Sequence, residues 1–82
     1  MKQYKLKEHV TDEMLIECGF YKTPLQHYRF DVSNNSHVII DKNTREVSAV
    51  IYDYKSLKLV KIESNKLQDL IELDYVEVII ND

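Results

Sequence analysis

The sequence predicts an α+β fold made of a short N-terminal helix, a four-stranded antiparallel β-meander, a C-terminal helix and a closing strand. The meander is predicted because β-branched and aromatic residues between positions 36 and 62 form short runs that Asn, Asp, Ser and Lys separate. A helical segment with clear end signals precedes these runs, and a second segment with helical spacing follows them. Because the chain has 82 residues, we expect one compact domain that spans residues 1–82.

The first helix is predicted over residues 12–18. Thr11 is expected to be its N-cap, because two acidic residues then lie in the first turn, where free N–H groups favour negative charge. Gly19 supplies the left-handed residue that commonly ends a helix, and Phe20 can fold back on the last turn. Before this helix, residues 4–6 allow an additional edge strand.

The first hairpin is predicted from residues 26–32, in which apolar and polar side chains alternate strictly. If Asn34 and Asn35 form a two-residue turn, Phe30 lies opposite Ile39. This alignment predicts which side chains share a face of the sheet.

A three-residue turn at residues 43–45 is predicted to start the second hairpin, with Lys42 opposite Glu46. We prefer this register because its neighbour places Asp41 against Glu46, which is a like-charge pair. One face then carries Phe30, Val32, Ile39, Val47, Ala49 and Ile51, and the other carries Val38, Ile40, Val50, Tyr52 and Tyr54. Because both faces are apolar, one should pack on helices, and the other should be covered by the C-terminal helix or by another chain.

The C-terminal segment is predicted to contain a second helix that opens at Ser64 or Asn65, because apolar residues follow with the spacing of an amphipathic helix. Asp74 stands where a glycine usually ends such a helix. Residues 75–80 are β-prone and alternate, so we expect a closing strand. A continuous helix through Val78 is the alternative.

The chain offers no catalytic, metal-binding or cofactor-binding motif. Cys18 is its single cysteine and Gly19 its single glycine, so the sequence predicts neither a thiolate metal site nor a phosphate-cradling loop. The predicted hairpin register places His27 and His37 on opposite faces of the sheet, where they cannot share a metal. We therefore expect a protein that is not an enzyme and that has no catalytic residues, metal or cofactor.

The tyrosine content points to a protein-binding surface. The chain has six tyrosines and no tryptophan, and tyrosine is enriched where a surface must be both apolar and hydrogen-bonding. Tyr52 and Tyr54, beside Val50 and Ile40, are the predicted contact for a protein partner or for a second copy in a homodimer. The alternative is that the second helix covers this face.

A further predicted contact is the acidic C-terminal surface. Between positions 63 and 82 there are six acidic residues, ending at Asp82, against Lys66 alone. Glu72, Asp74 and Glu77 are its candidate contacts, because such a surface suits a basic partner or imitates the charge of DNA. The alternative is an ordinary solvated helix face.

The alternative function is that of a nucleic-acid-associated accessory protein. Arg45, Lys55, Lys58 and Lys61, close in sequence to two tyrosines, would form the kind of basic and aromatic sheet surface on which bases stack. The net charge of −3 favours instead the ordinary role of edge-strand lysines, which is to prevent aggregation. Nucleic acid is therefore the less favoured partner.

The sequence also predicts a compartment. The N-terminus lacks the apolar core of a signal peptide, and the longest apolar runs are too short to span a bilayer. The single cysteine fits a reducing environment. We therefore expect a cytoplasmic protein with no membrane partner.

Three segments resemble small proteins that phages and prophages of low-GC Gram-positive bacteria encode. They are residues 15–20 (LIECGF), 39–47 (IIDKNTREV) and 67–71 (LQDLI). The resembling positions are helix caps and turns, and Asp74 departs from the glycine that usually follows the last helix. The resemblance implies a small protein in the cytoplasm of the bacterial host that acts by binding, for example to a defence enzyme or a nucleic-acid enzyme, and it implies no catalytic residues.

Overall fold

Two helices lie against one face of an antiparallel sheet in the computed structural model of the chain. The structure describes residues 2–81, and for residues 80 and 81 only the backbone. In chain order the elements are β1 (Lys2–Leu6), α1 (Asp12–Glu17), β2 (Tyr21–Lys22), β3 (His27–Asp31), β4 (Ser36–Asp41), β5 (Glu46–Asp53), β6 (Lys58–Lys61), α2 (Asn65–Glu72) and β7 (Val76–Asn81). Within residues 2–81, no helix is long and apolar enough to cross a membrane.

The predicted α+β class, with two helices and an antiparallel sheet, is confirmed. The predicted four-stranded meander with one closing strand was incomplete, because the described residues form a sheet of seven strands. β1 precedes α1, so the fold does not begin with a helix, and β1 pairs with both β5 and β7 instead of lying at an edge. The short strand β2 was not predicted, whereas the closing strand expected over residues 75–80 is present as β7.

Strand β5 is the centre of the sheet and pairs with three other strands. On one side it pairs with β4. On its other side, β1 pairs with Glu46 and Val47, and β6 pairs with residues 50–53. β1 and β6 therefore lie end to end along one side of β5. β7 lies beyond β1, and among residues 2–81 no strand lies beyond β6.

The predicted ends of α1 are confirmed. Thr11 is the N-cap, and its hydroxyl accepts a hydrogen bond from the Met14 N–H at 3.3 Å. Gly19 has φ of +95°, and the Phe20 N–H donates to the Leu15 carbonyl at 3.1 Å, which is a Schellman ending. These signals are local in sequence, so the sequence alone was sufficient to place the helix.

Helix α2 ends in the same way with an aspartate instead of a glycine. Asp74 has φ of +63°, and the Tyr75 N–H donates to the Leu70 carbonyl at 3.0 Å. Aspartate tolerates the left-handed region better than most residues. The Asp74 carboxylate also accepts a hydrogen bond from the Lys7 ammonium, which joins the end of α2 to the segment after β1.

The first hairpin is shifted by one residue from its predicted register. Phe30 pairs with Val38 instead of Ile39, because the connection has four residues rather than two. Val32, the first residue of this connection, donates its N–H to the Ser36 carbonyl at 2.8 Å.

The second hairpin also has the register that the sequence disfavoured, in which Ile40 pairs with Val47. The Asp41 carboxylate turns into the loop and accepts the N–H groups of Asn43 and Thr44 at 2.8 and 2.9 Å. These bonds hold the pKa of Asp41 below its usual range, because the two N–H groups stabilise its negative charge within the turn. The expected repulsion from Glu46 is therefore offset, and it does not decide the register.

These shifts move every side chain of β4 to the opposite face from the predicted one. Ile40, predicted beside Val50 and Tyr52, is 1% exposed and lies in the core, whereas Ile39 lies on the other face. The core face of the central strands carries Tyr28, Val38, Ile40, Val47 and Ala49, and the helices cover it with Leu15, Leu67 and Leu70. The predicted grouping of Phe30, Ile39, Val47 and Ala49 on one face was wrong for Ile39. Both helices lie on the core face, so α2 does not cover the opposite face.

Candidate functional site

The end of the β5–β6 hairpin exposes a group of apolar and aromatic side chains. Tyr54 is 69% exposed, Leu57 72%, Leu59 51% and Val60 39%. With Tyr52, which is half-buried, these residues are called the hairpin surface below. Leu59 and Tyr52 lie on one face of the sheet and Val60 lies on the other, so the exposed apolar side chains surround the end of the hairpin. Such a concentration on a small domain indicates a contact with another molecule.

The hairpin surface is held by an ordered turn. The Asp53 carboxylate accepts hydrogen bonds from the Lys55 N–H at 3.0 Å and from the Ser56 hydroxyl at 2.8 Å. The Ser56 hydroxyl and the Lys55 N–H together lower the pKa of Asp53. Leu57 adopts a left-handed φ of +57° and donates its N–H to the Asp53 carbonyl at 2.8 Å. The backbone of the turn is therefore fixed although its side chains are exposed.

The two tyrosine rings pack against each other. The ring centroids of Tyr52 and Tyr54 are 4.9 Å apart, and the ring planes make an angle of 73°, which is an edge-to-face contact. Together with Ile51 and Val60 they border an open hollow of about 410 Å³. The pairing orients both rings before any ligand arrives.

The predicted tyrosine site is assembled in part. Val50 lies two residues before Tyr52 on the same face of β5, but it is only 6% exposed and forms the base of the surface instead of a contact. Ile40 is buried on the opposite face and is not part of the site. Leu57, Leu59 and Val60 belong to the surface but were not predicted, because the sequence assigned all three to the strand that follows a turn near residues 55 and 56. The structure places Leu57 in the turn and begins β6 at Lys58.

The predicted acidic contacts lie away from the hairpin surface. Asp74 is bound to Lys7, and the pKa of Asp74 is lowered by that contact. Glu77 lies opposite Lys5 in the pairing of β7 with β1, near the start of β5. Glu72 is exposed at the end of α2. Asp82 lies outside the described residues.

Three of the four predicted basic residues share the hairpin, and Arg45 does not. Arg45 lies at the opposite end of β5, and its guanidinium donates to the carbonyls of Lys7 and Val10 at 2.9 and 3.1 Å. Its role is to hold the segment between β1 and α1. Lys55, Lys58 and Lys61 are exposed, and none lies within 4.0 Å of a carboxylate in the described part of the chain.

A separate polar cluster occupies the sheet face that the helices leave open. The Asp31 carboxylate accepts hydrogen bonds from the Tyr21 hydroxyl at 2.7 Å, the Arg29 Nε at 2.8 Å and the His37 Nδ1 at 2.7 Å. The Tyr21 hydroxyl makes the largest contribution to lowering the pKa of Asp31, and Arg29 and His37 act in the same direction.

The corrected register also changes the placement of the histidines. His27 and His37 lie on the same face of the sheet, not on opposite faces, because His27 pairs with Asp41 and His37 pairs with Asp31. Each histidine is thus next to its own aspartate. Within residues 2–81, no three His, Cys, Asp or Glu side chains are grouped closely enough to hold a metal ion.

Comparisons with protein-family models, with curated proteins and with solved structures give no match for this chain. A functional assignment therefore rests on the geometry of the chain itself.

Proposed function

We propose that this chain is a non-enzymatic protein-interaction module of the phage or prophage accessory type, and that it binds a protein partner through the hairpin surface. The observation that carries the proposal is the group of exposed apolar and aromatic side chains on an ordered hairpin. Tyrosine is among the residues that dominate binding energy at protein interfaces. The proposed partner is a host or phage protein in the bacterial cytoplasm, and an inhibitory contact with a defence or nucleic-acid enzyme is one form of this function.

The order of the hairpin supports a binding role. Association costs the entropy of every side chain and loop that must be fixed. Here the turn is already held by Asp53, and the ring of Tyr52 is already packed on that of Tyr54. The surface therefore loses little freedom when a partner covers it.

The test is a pull-down with the tagged full chain from a nuclease-treated lysate of a Gram-positive bacterium. The chain is compared with a variant that carries Tyr52→Ser and Tyr54→Ser, and with Leu25→Ser as a control. Leu25 is 76% exposed and lies outside the hairpin, so its substitution removes a similarly exposed apolar side chain elsewhere. We expect one protein to be retained by the parent and the control and lost by the tyrosine variant. Equal retention by all three chains would contradict the proposal.

A nucleic-acid partner is the second candidate. The observation that favours it is that Lys55, Lys58 and Lys61 lie on the hairpin that carries the tyrosine pair and have no carboxylate partner in the described residues. Bases stack on aromatic side chains, and phosphate contacts make the affinity fall steeply with salt. Binding to a single-stranded oligonucleotide that weakens with salt and with Lys58→Gln would favour this candidate.

A further inference from the structure

The sheet has an open edge beside β6. β6 and β1 lie end to end along one side of β5, and β7 covers the outer edge of β1. Among residues 2–81, no strand covers the outer edge of β6, and all four residues of β6 are exposed. The position next to β1 in the sheet is therefore occupied by β7, whereas the corresponding position next to β6 is empty over a length of about 13 Å.

We propose that this open edge binds an extended segment of a partner protein as an added β-strand, and that the segment carries acidic residues on both sides of a pair of apolar residues. The inference rests on the proposed function and specifies its mode: the partner supplies a strand, not only an apolar patch. Added strands of this type obtain affinity from main-chain hydrogen bonds and specificity from alternate side chains.

The backbone of β6 offers the necessary hydrogen-bonding groups. The Ile62 N–H donates to the Ala49 carbonyl at 2.9 Å, so the backbone groups of Ile62 point to β5. Because these groups alternate along an antiparallel strand, those of Val60 also point to β5, and those of Leu59 and Lys61 point away from it. The outward N–H and C=O groups are the ones that an added strand would use.

The side chains of β6 offer apolar contact on both faces of the sheet. Leu59 lies opposite Tyr52, and Val60 lies opposite Ile51 on the other face. Leu59 and Val60 are 51% and 39% exposed. Two neighbouring apolar residues of an added strand, which point to opposite faces, would each meet an apolar neighbour.

The charges of β6 decide between a second copy of the chain and another partner. Lys58 and Lys61 are three residues apart, so they point to opposite faces of the sheet and do not face each other when β6 pairs antiparallel with a second copy. A second copy of β6 nevertheless brings two more lysines and no carboxylate to the same short edge, so it adds positive charge on both faces. Edge lysines therefore disfavour self-pairing, and they favour an added strand that sets carboxylates at the same two places.

The test uses the full chain and a blocked synthetic peptide with the sequence Thr-Glu-Val-Ile-Glu-Thr. Binding is followed through the backbone amide signals and through hydrogen exchange. We expect the peptide to shift the signals of Leu59 and Lys61 and to slow exchange of those two amides at least tenfold at saturation. The Val60 amide, which points to β5, should be protected before the peptide is added. Unchanged Leu59 and Lys61 signals at millimolar peptide would overturn the proposal.

Three control peptides separate strand addition from other binding. Thr-Lys-Val-Ile-Lys-Thr should bind about tenfold more weakly, because it repeats the charge of β6. Two N-methylated forms of the acidic peptide are compared, one methylated at the odd-numbered amides and one at the even-numbered amides. Their affinities should differ at least tenfold, because only one of these two sets faces β6. Equal affinity of the two methylated forms, or of the acidic and basic peptides, would overturn the proposal.

A matched pair of variants tests the same edge in the protein. Leu59→Pro removes an N–H that points away from β5, and proline is tolerated on an edge strand at such a position. Leu59→Val keeps the N–H and has a side chain of similar size. We expect Leu59→Pro to weaken binding of the acidic peptide at least tenfold, and Leu59→Val to weaken it less than threefold. Continued protection of the Val60 amide shows that the hairpin is intact in both.

Two further outcomes keep this inference distinct from the proposed function. If a purified partner binds the Leu59→Pro variant as tightly as the parent but not the tyrosine variant, the interaction function stands and strand addition is wrong. Sedimentation of the free chain should give a monomer. A dimer that Leu59→Pro abolishes would assign the edge to a second copy and overturn the proposal.

Discussion

Asp74 ends α2 in the same left-handed backbone position in which Gly19 ends α1. The φ angles are +63° and +95°, and in both cases the following N–H bonds back to a leucine carbonyl. Asp74 differs in that its carboxylate also reaches Lys7. The fold thus uses glycine where a neighbour lies close, and aspartate where a charged side chain can form a tertiary contact.

Replacing these two residues should have different effects. A Cβ at Gly19 would lie 3.0 Å from the Phe30 ring and at a positive φ, so Gly19→Ala should lower the free energy of unfolding by about 1–3 kcal/mol. Asp74→Gly should not destabilise the chain strongly, because glycine adopts this φ freely. Urea denaturation of both variants measures the difference. If Gly19→Ala left the urea midpoint unchanged, the close approach of the Phe30 ring to Gly19 would be contradicted.

The register of β4 predicts which of two adjacent isoleucines supports the core. Ile40 is 1% exposed, so Ile40→Ala should cost about 2–5 kcal/mol of stability. Ile39 is half-buried on the opposite face, so Ile39→Ala should cost about 1 kcal/mol. Thermal or urea denaturation of the pair gives the ranking. The reverse order would indicate the register that the sequence analysis preferred.

Arg45 should behave as a structural residue. Its guanidinium satisfies two carbonyls in the segment after β1, so Arg45→Ala should lower stability by about 1–3 kcal/mol. Alanine has the same difficulty with the positive φ at this position, so the comparison isolates the side chain. Lys55→Ala is the control, because Lys55 is exposed in the hairpin turn and its loss should change stability by less than about 0.5 kcal/mol. Equal effects of the two substitutions would argue against the assigned contacts.

Acidification should weaken the fold through Asp31. The pKa of Asp31 is lowered in the folded chain, so this group contributes stability above its unfolded pKa of about 4 and loses the contribution as the pH falls through its lowered folded value. With Asp31→Asn, the free energy of unfolding should decrease less steeply as the pH falls below about 4. Tyr21→Phe removes the leading hydrogen-bond donor to Asp31, so its slope should lie between those of the parent and Asp31→Asn. Urea denaturation at a series of pH values measures these slopes. Identical slopes for the parent and Asp31→Asn would contradict the cluster geometry.

The parts of the fold that the sequence predicted correctly depend on neighbouring residues. The N-cap at Thr11 and the ending at Gly19 involve contacts within one helical turn, and the alternation of residues 75–80 indicates a strand by itself. The register could not be obtained in this way. Ile39 and Ile40 are identical in hydrophobicity, so the pattern does not say which one faces the core, and the deciding loop bonds depend on backbone geometry.

The candidate site was predictable in its aromatic part only. Tyr52 and Tyr54 were identified from composition and position, and the structure packs their rings together. Arg45 was misplaced because its partners, the carbonyls of Lys7 and Val10, lie 38 and 35 residues away in sequence. The open edge of β6 depends on where β1 and β7 end, and no local pattern in β6 encodes that arrangement.

The most direct test of the central claim is the affinity of the hairpin surface for the purified protein that the chain retains from lysate. Titration calorimetry compares the parent, the Tyr52→Ser and Tyr54→Ser double variant, and the Leu25→Ser control. If each tyrosine is an interface anchor worth about 2 kcal/mol, the double variant should bind at least about a hundredfold more weakly, and the control should match the parent. Equal affinity of the parent and the double variant would contradict the claim that this surface is where the chain binds its partner.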